Sequence, residues 1–186
     1  MKSSKIHSIT QVLGQEFLQK KTSLITSKKK NSVLRPIHDL LFLPTIPITY
    51  EDGLITDVAR MDQKLIGPPI VQVHLNHTQS GKIRAWGLHK ENTDRLFLVS
   101  GQVKFAVFDG RKNSPTYGVI NEFFVSDRSP GLLIIPPNLY HGWKNIGNTD
   151  SIIINMPTSL YDYENPDAYH LDWESVAARK LIKYQF

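Results

Sequence analysis

Residues 95–110 read RLFLVSGQVKFAVFDG, and this stretch decides the fold class. It holds two short apolar-rich segments, and each is followed by turn residues, Gly101 after the first and Asp109-Gly110 after the second. Segments of this length that are rich in β-branched and aromatic residues and end at turn residues are typical of β-strands. The stretch therefore predicts two consecutive strands.

Comparable segments occur on both sides of this stretch. They are PIVQVHLN at 69–76, YGVINEFFVS at 117–126, GLLIIPP at 131–137 and SIIINMP at 151–157. In the first of them, Val71, Val73 and Leu75 alternate with polar residues, which predicts a strand with two different faces. Many short strands at this spacing indicate an all-β sandwich or barrel, whose mouth offers a cavity. Residues 175–184 are predicted to form a short helix near the C-terminus.

The charge is concentrated at the N-terminus. Residues 1–35 hold eight Lys and Arg against one acid, so they contribute +7 to a net charge of +5 and leave −2 for the rest. We predict a basic N-terminal extension over 1–50, with a marginal amphipathic helix at 6–25. The barrel domain is predicted over 51–186, with a polar and helical C-terminal tail. No recognition motif accompanies the lysines, so we expect no nucleic-acid partner.

The composition excludes several classes of site and of protein. The chain has no cysteine, which excludes disulfides, thiolate zinc sites and a cysteine nucleophile. No apolar run approaches the roughly 20 residues that span a bilayer, and the first residues lack the apolar core of a secretory signal. We therefore expect a cytoplasmic protein without stable membrane insertion.

Two histidines lie where predicted strands begin or end. His89 lies in WGLHKENTDRLFLVSG at 86–101, and His141 lies in GLLIIPPNLYHGWKN at 131–145. Each has turn residues beside it, so two strands of one barrel can bring both side chains together. Because the ordinary histidine pKa is close to neutral, such a pair suits proton transfer, and neutral imidazoles also bind metals. We interpret both histidines as functional rather than as ordinary surface residues.

Four segments carry a resemblance to a known family. They are LHKENTDRLFLVSGQVKFAVFDGRKNSPTYG at 88–118, IPPNLYHGW at 135–143, HLNHTQS at 74–80 and TSLYDYENPD at 158–167. Over residues 52–173 the chain resembles the dTDP-4-dehydrorhamnose 3,5-epimerase family. RKNSPTYG and PPNLYHGW are its most specific motifs.

The resemblance implies a fold and a chemistry. The fold is a cupin-type jelly-roll barrel, the expected assembly is a homodimer, and no cofactor is expected. Family members remove a proton from the carbon next to the 4-keto group of a dTDP-linked deoxysugar and return it on the opposite face. By the match, His89 is the general base and His141 a catalytic partner that polarises or orients the substrate. The expected pathway is the biosynthesis of a surface polysaccharide such as lipopolysaccharide.

The resemblance also suggests residues that bind the substrate. Arg84 and Arg95 are candidates to pair with the diphosphate, and Trp86 is a candidate to pack on the base or sugar. Tyr161 falls on a position near the sugar nucleotide, and either it or Tyr140 is a candidate acid. The full set of predicted binding residues is Asn76, Arg84, Trp86, Arg95, Tyr140, Asn155 and Tyr161.

Four departures from the family pattern bear on the reaction. Trp86 stands where the family has Arg, Asp94 where it has Lys, Phe105 where it has a buried Asp, and Asn155 where it has the acid tyrosine. An amide cannot donate a proton as a phenol does, so full 3,5-epimerisation is not expected. Inversion at one centre, migration of the keto group, and a sugar-nucleotide-binding barrel that has lost catalysis all stay open.

A metal-binding cupin is a further alternative. The metal-binding pattern has two histidines one residue apart, then a Glu, and later a third histidine. Here Gly87 replaces the first histidine, while His89, Asp94 and His141 remain. Two histidines and one carboxylate are a known set of metal ligands, so these three residues are candidate ligands.

Overall fold

The computed structural model describes residues 35–186, so the helix predicted at 6–25 lies outside the described residues. Short strands dominate this part of the chain. Its elements are β1 (Leu41–Pro44), β2 (Ile48–Tyr50), β3 (Gly53–Ile55), a 3-10 helix (Lys64–Ile66), β4 (His74–Thr78), β5 (Ile83–Leu88), β6 (Asp94–Ser100), β7 (Gln102–Asp109), β8 (Ile120–Ser126), β9 (Gly131–Ile135), β10 (Leu139–Asn145), β11 (Ser151–Asn155), β12 (Tyr169–His170) and α1 (Val176–Leu181).

The strands form two five-stranded antiparallel sheets and one separate hairpin. The first sheet has the order β1-β9-β6-β11-β4, the second has the order β12-β5-β10-β7-β8, and β2 pairs with β3. Residues 95–110 form β6 and β7, which belong to different sheets. The chain thus crosses from one sheet to the other at Gly101, whose φ of 95° suits glycine. The predicted all-β barrel is confirmed.

The main core lies between the two sheets. Leu98 and Ile153 from the first sheet and Val103 and Val107 from the second are almost completely buried in one cluster. Phe105, the residue that replaces the family's buried Asp, packs edge-on against Trp143 with ring centroids 6.1 Å apart. Each such side chain contributes roughly 1.5–3 kcal/mol on burial. The side chain at position 105 therefore lies in an apolar interior and not in a charged site.

Both sheets are also covered on their outer faces. Side chains from residues 58–70 pack on the outer face of the first sheet, which is why β6 and β9 are buried on both faces. Helix α1 and the C-terminal residues cover the second sheet. The helix predicted at 175–184 is confirmed as the shorter α1, which begins after Ser175, whose hydroxyl accepts a hydrogen bond from the backbone N–H of Ala178.

The barrel begins before the predicted boundary at residue 51. Strand β1 pairs with β9 at residues 41–44, and the buried Ile37 donates its backbone N–H to Asn121 Oδ1 at 2.8 Å. Pro44 and Pro47 lie in or just after β1, and a strand at the edge of a sheet tolerates them. Residues 35–186 contain no helix that is long and apolar enough to cross a membrane.

Candidate functional site

The structure brings the two predicted histidines side by side. His89 follows the end of β5, and His141 lies in β10, where it pairs with Gly87 of β5. The two rings stack with centroids 5.5 Å apart and planes 28° apart. A Cβ atom at Gly87 would lie 3.2 Å from His141 Nε2, so the glycine makes room for the imidazole.

Asp94 joins the two rings from the opposite sheet. Its Oδ2 atom lies 3.3 Å from His89 Nε2 and 3.1 Å from His141 Nε2. The other oxygen, Oδ1, accepts hydrogen bonds from Asn155 Nδ2 at 2.8 Å and from Asn92 Nδ2 at 3.3 Å. The side chain of Asp94 is buried. One carboxylate therefore holds both histidines, and two amides hold that carboxylate.

The tautomer of each histidine follows from its second ring nitrogen. His141 Nδ1 lies 3.0 Å from the backbone oxygen of Leu139, and His89 Nδ1 contacts the backbone oxygen of Asp167. A carbonyl oxygen only accepts hydrogen bonds, so each Nδ1 carries a hydrogen. The two Nε2 atoms are then the ones that exchange protons or bind a ligand, and both face Asp94.

The charges in this cluster shift the pKa values of its members. Burial opposes the charged form of His89, but the hydrogen bond and the charge of Asp94, aided by Asp167, outweigh it and raise the pKa of His89 to about 9. Burial also opposes ionisation of Asp94, yet hydrogen bonds from His141 and His89 hold the pKa of that carboxyl far below its usual range. The cluster thus favours the carboxylate form of Asp94 and the imidazolium form of His89.

Asp167 fixes the segment that carries His89, and the sequence analysis missed it. Its carboxylate accepts hydrogen bonds from the backbone N–H groups of Lys90, Glu91 and Asn92 at 2.8–2.9 Å. Burial opposes ionisation of Asp167, but these three bonds and the charge of His89 lower its pKa. The sequence analysis included it only as the last residue of TSLYDYENPD and gave it no role.

The turn before β10 provides a further support for His89. Asn138 has a φ of 65°, a left-handed conformation that asparagine tolerates, and its backbone N–H donates to the backbone oxygen of His89 at 2.6 Å. Both motifs of the resemblance, the one around His89 and the one around His141, therefore meet at this turn.

Three of the predicted binding residues lie on or near the inner faces of the two sheets, the faces that point toward each other. Asn155 contacts Asp94 directly. Asn76 pairs with the core residue Ile153, so it shares the inner face of the first sheet. Arg84 is exposed, and its guanidinium lies 5.7 Å from the ring of Trp143, which reaches into the main core. Asn76 and Arg84 stay candidate binding residues.

His74 is a second residue that the sequence analysis missed. It pairs with Asn155 across β4 and β11, so both side chains leave the same face of the sheet. The alternation predicted for 71–76 is confirmed, but its orientation is the reverse of an ordinary amphipathic strand. Val71, Val73 and Leu75 are exposed, while the polar residues between them are half-buried. The polar face of β4 points toward the interior.

The directions of two side chains contradict their predicted roles in substrate binding. Trp86 is only 1% exposed and packs on Tyr184 and Phe186, in the outer cluster beneath the C-terminal residues. An irregularity in the pairing of β5 with β10 shifts the register just there. Tyr140 precedes His141 in β10 and packs on Phe108 in that same outer cluster. Neither side chain points to the histidines.

Arg95 is also corrected, because its guanidinium is fully buried. It donates to the backbone oxygens of Met156 at 2.5 Å, Pro68 at 2.6 Å and Pro157 at 2.9 Å. Since Asp94 points inward, its neighbour Arg95 points to the outer face of the first sheet, where residues 66–69 cover it. Arg95 therefore ties the covering segment to the end of β11 and does not reach a substrate.

Tyr161 lies on the exposed segment after β11. Its backbone N–H donates to Gln72 Oε1 at 2.8 Å, and its ring packs edge-on against Tyr163 with centroids 5.1 Å apart. The side chain of Tyr163 is 86% exposed. The role of Tyr161 in binding stays a prediction.

The same three residues have the arrangement of a metal site. One ligand atom each from His89, Asp94 and His141 lies within 4.8 Å of the others. Each histidine offers Nε2 while its Nδ1–H donates to a backbone carbonyl, which is the usual support of a metal-binding imidazole. These residues fit either a chain of proton-transferring hydrogen bonds or a divalent cation.

Comparison with known proteins adds a family assignment to this geometry. A family model described as dTDP-4-dehydrorhamnose 3,5-epimerase matches residues 55–179. A probable low-salt glycan biosynthesis epimerase of Haloferax volcanii is 36% identical over 98 residues, which are 52% of this chain and 63% of that protein. A spore coat polysaccharide biosynthesis protein of Bacillus subtilis is 27% identical over 122 residues, 66% of this chain and 80% of that protein. The match thus spans less than two thirds of the Haloferax protein.

Solved structures resemble the chain in fold. A dTDP sugar isomerase from Desulfovibrio desulfuricans superposes with a TM-score of 0.70 at 19% identity, over 82% of this chain and 100% of that one. A dTDP-4-dehydrorhamnose 3,5-epimerase from Bacillus anthracis gives 0.68 at 17% identity, over 80% of this chain and 87% of that one. The cupin-type jelly-roll fold is confirmed.

Proposed function

Since the chain belongs to the dTDP-4-dehydrorhamnose 3,5-epimerase family, we propose that it is an epimerase or isomerase of a nucleotide-linked 4-keto-deoxysugar. The reaction begins with removal of a proton from a carbon next to the keto group. The observation that carries this proposal is the convergence of His89, Asp94 and His141, which supplies a base, a hydrogen-bond donor and a carboxylate at one place.

His89 acts as the base in its neutral form. Asp94 accepts the hydrogen bond of the imidazolium that forms when His89 takes the proton, and this makes His89 a stronger base. The same bond leaves a smaller neutral fraction of His89 at pH 7. His141 lies 3.1 Å from the same carboxylate oxygen and donates to the oxygen on which negative charge develops.

The remaining contacts come from the open side of the site. Arg84 is an exposed cation beside Trp143 and suits the diphosphate. Asn76 on the inner face suits a sugar hydroxyl, and Tyr161 suits stacking on the base. We further propose a cytoplasmic homodimer that works in the biosynthesis of a surface polysaccharide such as lipopolysaccharide. The exposed apolar residues Ile48, Leu54 and Ile55 of the separate hairpin β2-β3 support a contact between copies.

Deuterium entry tests the proposed activity. The protein is incubated in D₂O with a panel of 4-keto-6-deoxy nucleotide sugars, and NMR follows the hydrogen at each carbon next to the keto group. We expect deuterium to enter at one of these carbons with at least one member of the panel. Tight binding of a panel member with no deuterium entry would instead establish a binding barrel that has lost catalysis.

A metal-dependent cupin is the second candidate, because the three ligand atoms also suit a divalent cation. Metal analysis of protein purified without chelators distinguishes the two. Under the proposed proton-transfer function, deuterium entry continues after dialysis against EDTA. Loss of exchange on dialysis, restored by one added divalent cation, would favour the metal-dependent reaction.

A further inference from the structure

The inner face of the first sheet carries an imidazole that the proposed reaction does not yet use. His74 is the first residue of β4 and pairs with Asn155 of β11, so the two side chains leave the same face with their Cβ atoms about 4.5–5.5 Å apart. Asn155 in turn donates its Nδ2 to Asp94 Oδ1 at 2.8 Å. A row of polar side chains therefore crosses β6, β11 and β4, from Asp94 through Asn155 to His74.

His74 and His89 reach the site from different sheets. Strands β4 and β5 are consecutive and are joined by residues 79–82, but β4 is an edge strand of the first sheet and β5 belongs to the second. His74 begins β4 and His89 follows the end of β5, so both lie at the strand ends away from that connection. Both are half-buried, whereas Asp94 is buried between the sheets. A ligand that enters from solvent can contact His74 on one side and His89 on the other.

The spacing of the strands suits a sugar ring between these two groups. Strand β11 separates β6 from β4, so the axes of β6 and β4 are roughly 9–10 Å apart. On the β6 side of this gap, Asp94 Oδ2 lies 3.3 Å from His89 Nε2. A carbon that reacts with one group on each face lies about 3–3.5 Å from both, which places those groups roughly 6–7 Å apart. The space over Asn155 therefore suits such a carbon.

His74 is the member of the row that can return a proton from this wall. An amide is no proton donor of this kind, and Asn155 already uses Nδ2 on Asp94 and Oδ1 on the backbone N–H of Arg95. An imidazole gains and releases protons near neutral pH. His74 is also not one of the three residues whose ligand atoms converge as in a metal site. Its role thus concerns a group outside the cluster of His89, Asp94 and His141.

We propose, on the basis of the proposed function, that His74 is the acid on the wall opposite His89 and that the enzyme inverts a single centre next to the keto group. Removal of the proton on the side of the cluster leaves the C–H electron pair in an enolate. On the other face of the carbon, an N–H bond of the His74 imidazolium breaks and its electron pair stays on nitrogen. The enolate electron pair forms the new C–H bond with this proton, and the C=O bond returns.

The balance of this step needs no further reactant. One proton leaves the carbon and one arrives, so the substrate and its epimer have the same composition. Water restores the proton of His74 and removes the proton taken from the substrate. In the reverse direction the roles exchange, because the hydrogen of the epimer points toward His74 and is removed by its neutral imidazole.

Deuterium entry from both directions tests the inference on the full chain. The probe is the member of the D₂O panel that takes up deuterium, beginning with dTDP-4-keto-6-deoxyglucose, together with the epimer isolated from its incubation with the wild type. His74→Gln keeps hydrogen-bonding groups but transfers no proton. We expect this variant to form the epimer at least about 100-fold more slowly than the wild type. It should still introduce deuterium into recovered substrate and should lose deuterium entry into the epimer.

Three further variants serve as controls. His77→Gln makes the same replacement on the exposed face of β4 and should keep both deuterium entry and inversion. Tyr161→Phe removes the hydroxyl of the other candidate acid and should also keep inversion. His74→Asn should behave as His74→Gln does. Thermal unfolding and binding of the probe are measured for every variant, so a loss of fold is seen separately from a loss of proton return.

The outcomes separate the inference from the function on which it rests. Inversion by His74→Gln at the wild-type rate would overturn the inference, and so would equal losses of deuterium entry from the substrate and from the epimer. Loss of inversion in Tyr161→Phe with substrate exchange retained would assign the opposing acid to Tyr161. Each of these results leaves the proposed proton abstraction intact. If the wild type introduces no deuterium into any panel member that it binds, the proposed function and the inference are both overturned.

Discussion

The buried Arg95 gives a prediction whose size follows from its contacts. Replacing Arg95 with Met keeps an unbranched apolar side chain but removes every donor of the guanidinium. Three of its hydrogen bonds, to the backbone oxygens of Met156, Pro68 and Pro157, are 2.9 Å or shorter. A hydrogen bond from a charged group contributes roughly 1.5–3 kcal/mol, so the three together contribute about 5–9 kcal/mol.

Part of this contribution is offset because a buried methionine, unlike a buried guanidinium, carries no cost for removing a charge from water. Arg95→Met leaves three buried backbone oxygens without a donor, and each such group costs about 1–3 kcal/mol. After the offset, we expect the free energy of unfolding to fall by roughly 3–5 kcal/mol. For a domain of this size the midpoint of thermal unfolding then falls by roughly 6–20 °C. The free energy is measured by urea denaturation and the midpoint by calorimetry.

Two variants serve as controls. Arg95→Lys keeps the charge but loses the planar fork of donors, so we expect an intermediate loss of stability. Arg128→Met removes an exposed arginine in a turn and should change stability by less than about 0.5 kcal/mol. Our reasoning is refuted if Arg95→Met unfolds within about 1 kcal/mol of the wild type while dTDP binding weakens. That result would support the predicted role of Arg95 in pairing with the diphosphate.

Three further predictions test other parts of the structure. Asp94→Asn removes the carboxylate shared by the histidines, so we expect kcat to fall at least about 100-fold with KM little changed in steady-state kinetics. An equal loss of kcat/KM that comes entirely from a higher KM would contradict a positioning role. Asp109 is buried, and although burial opposes its ionisation, hydrogen bonds from Arg111, Ser114 and Thr116 lower its pKa. The contribution of Asp109 to folding stability is therefore fully present above its unfolded pKa of about 3.9 and is lost as the pH falls through the lower folded value. We expect Asp109→Asn to unfold at a lower urea concentration than the wild type at pH 7. Its stability should also fall less steeply than that of the wild type below pH 4. At Gly142 a Cβ atom would lie 2.3 Å from Ala85 Cβ, so Gly142→Ala should lower the thermal midpoint and disturb the pairing of β5 with β10, whereas an unchanged midpoint would contradict the close approach.

The strands were predictable because their signals are local. RLFLVSG and QVKFAVFDG carry both the composition of strands and the turn residues that end them, and the structure has β6 and β7 there. The approach of His89 to His141 was predictable from two motifs at strand ends. Each of these signals is a short run of neighbouring residues.

Side-chain direction was less predictable because it depends on distant segments. Trp86 lies at an irregular pairing of β5 with β10, and no local pattern marks such a shift. Arg95 lies in a strand that is buried on both faces, because residues 58–70 cover the outer one. The sequence does not show which segment covers a sheet, so a buried arginine and a ligand-binding arginine have the same local pattern.

Two of the departures from the family pattern proved to be coupled. Asp94 and Asn155 were identified separately, 61 residues apart, as losses of a lysine and a tyrosine. In the structure Asn155 donates a hydrogen bond to Asp94 at 2.8 Å. One replacement therefore supplies the carboxylate that holds both histidines, and the other supports that carboxylate. A list of missing family residues could not show this contact, because it forms only across the paired strands β6 and β11.

The measurement that tests the central claim most directly compares deuterium entry in His89→Asn and His77→Asn. Both proteins are given the same 4-keto-6-deoxy nucleotide sugar in D₂O, and binding of that sugar is measured on the same samples by calorimetry. We predict that His89→Asn binds the sugar with wild-type affinity and loses deuterium entry, while His77→Asn retains both. Deuterium entry at the wild-type rate in His89→Asn would contradict the assignment of proton transfer to this cluster.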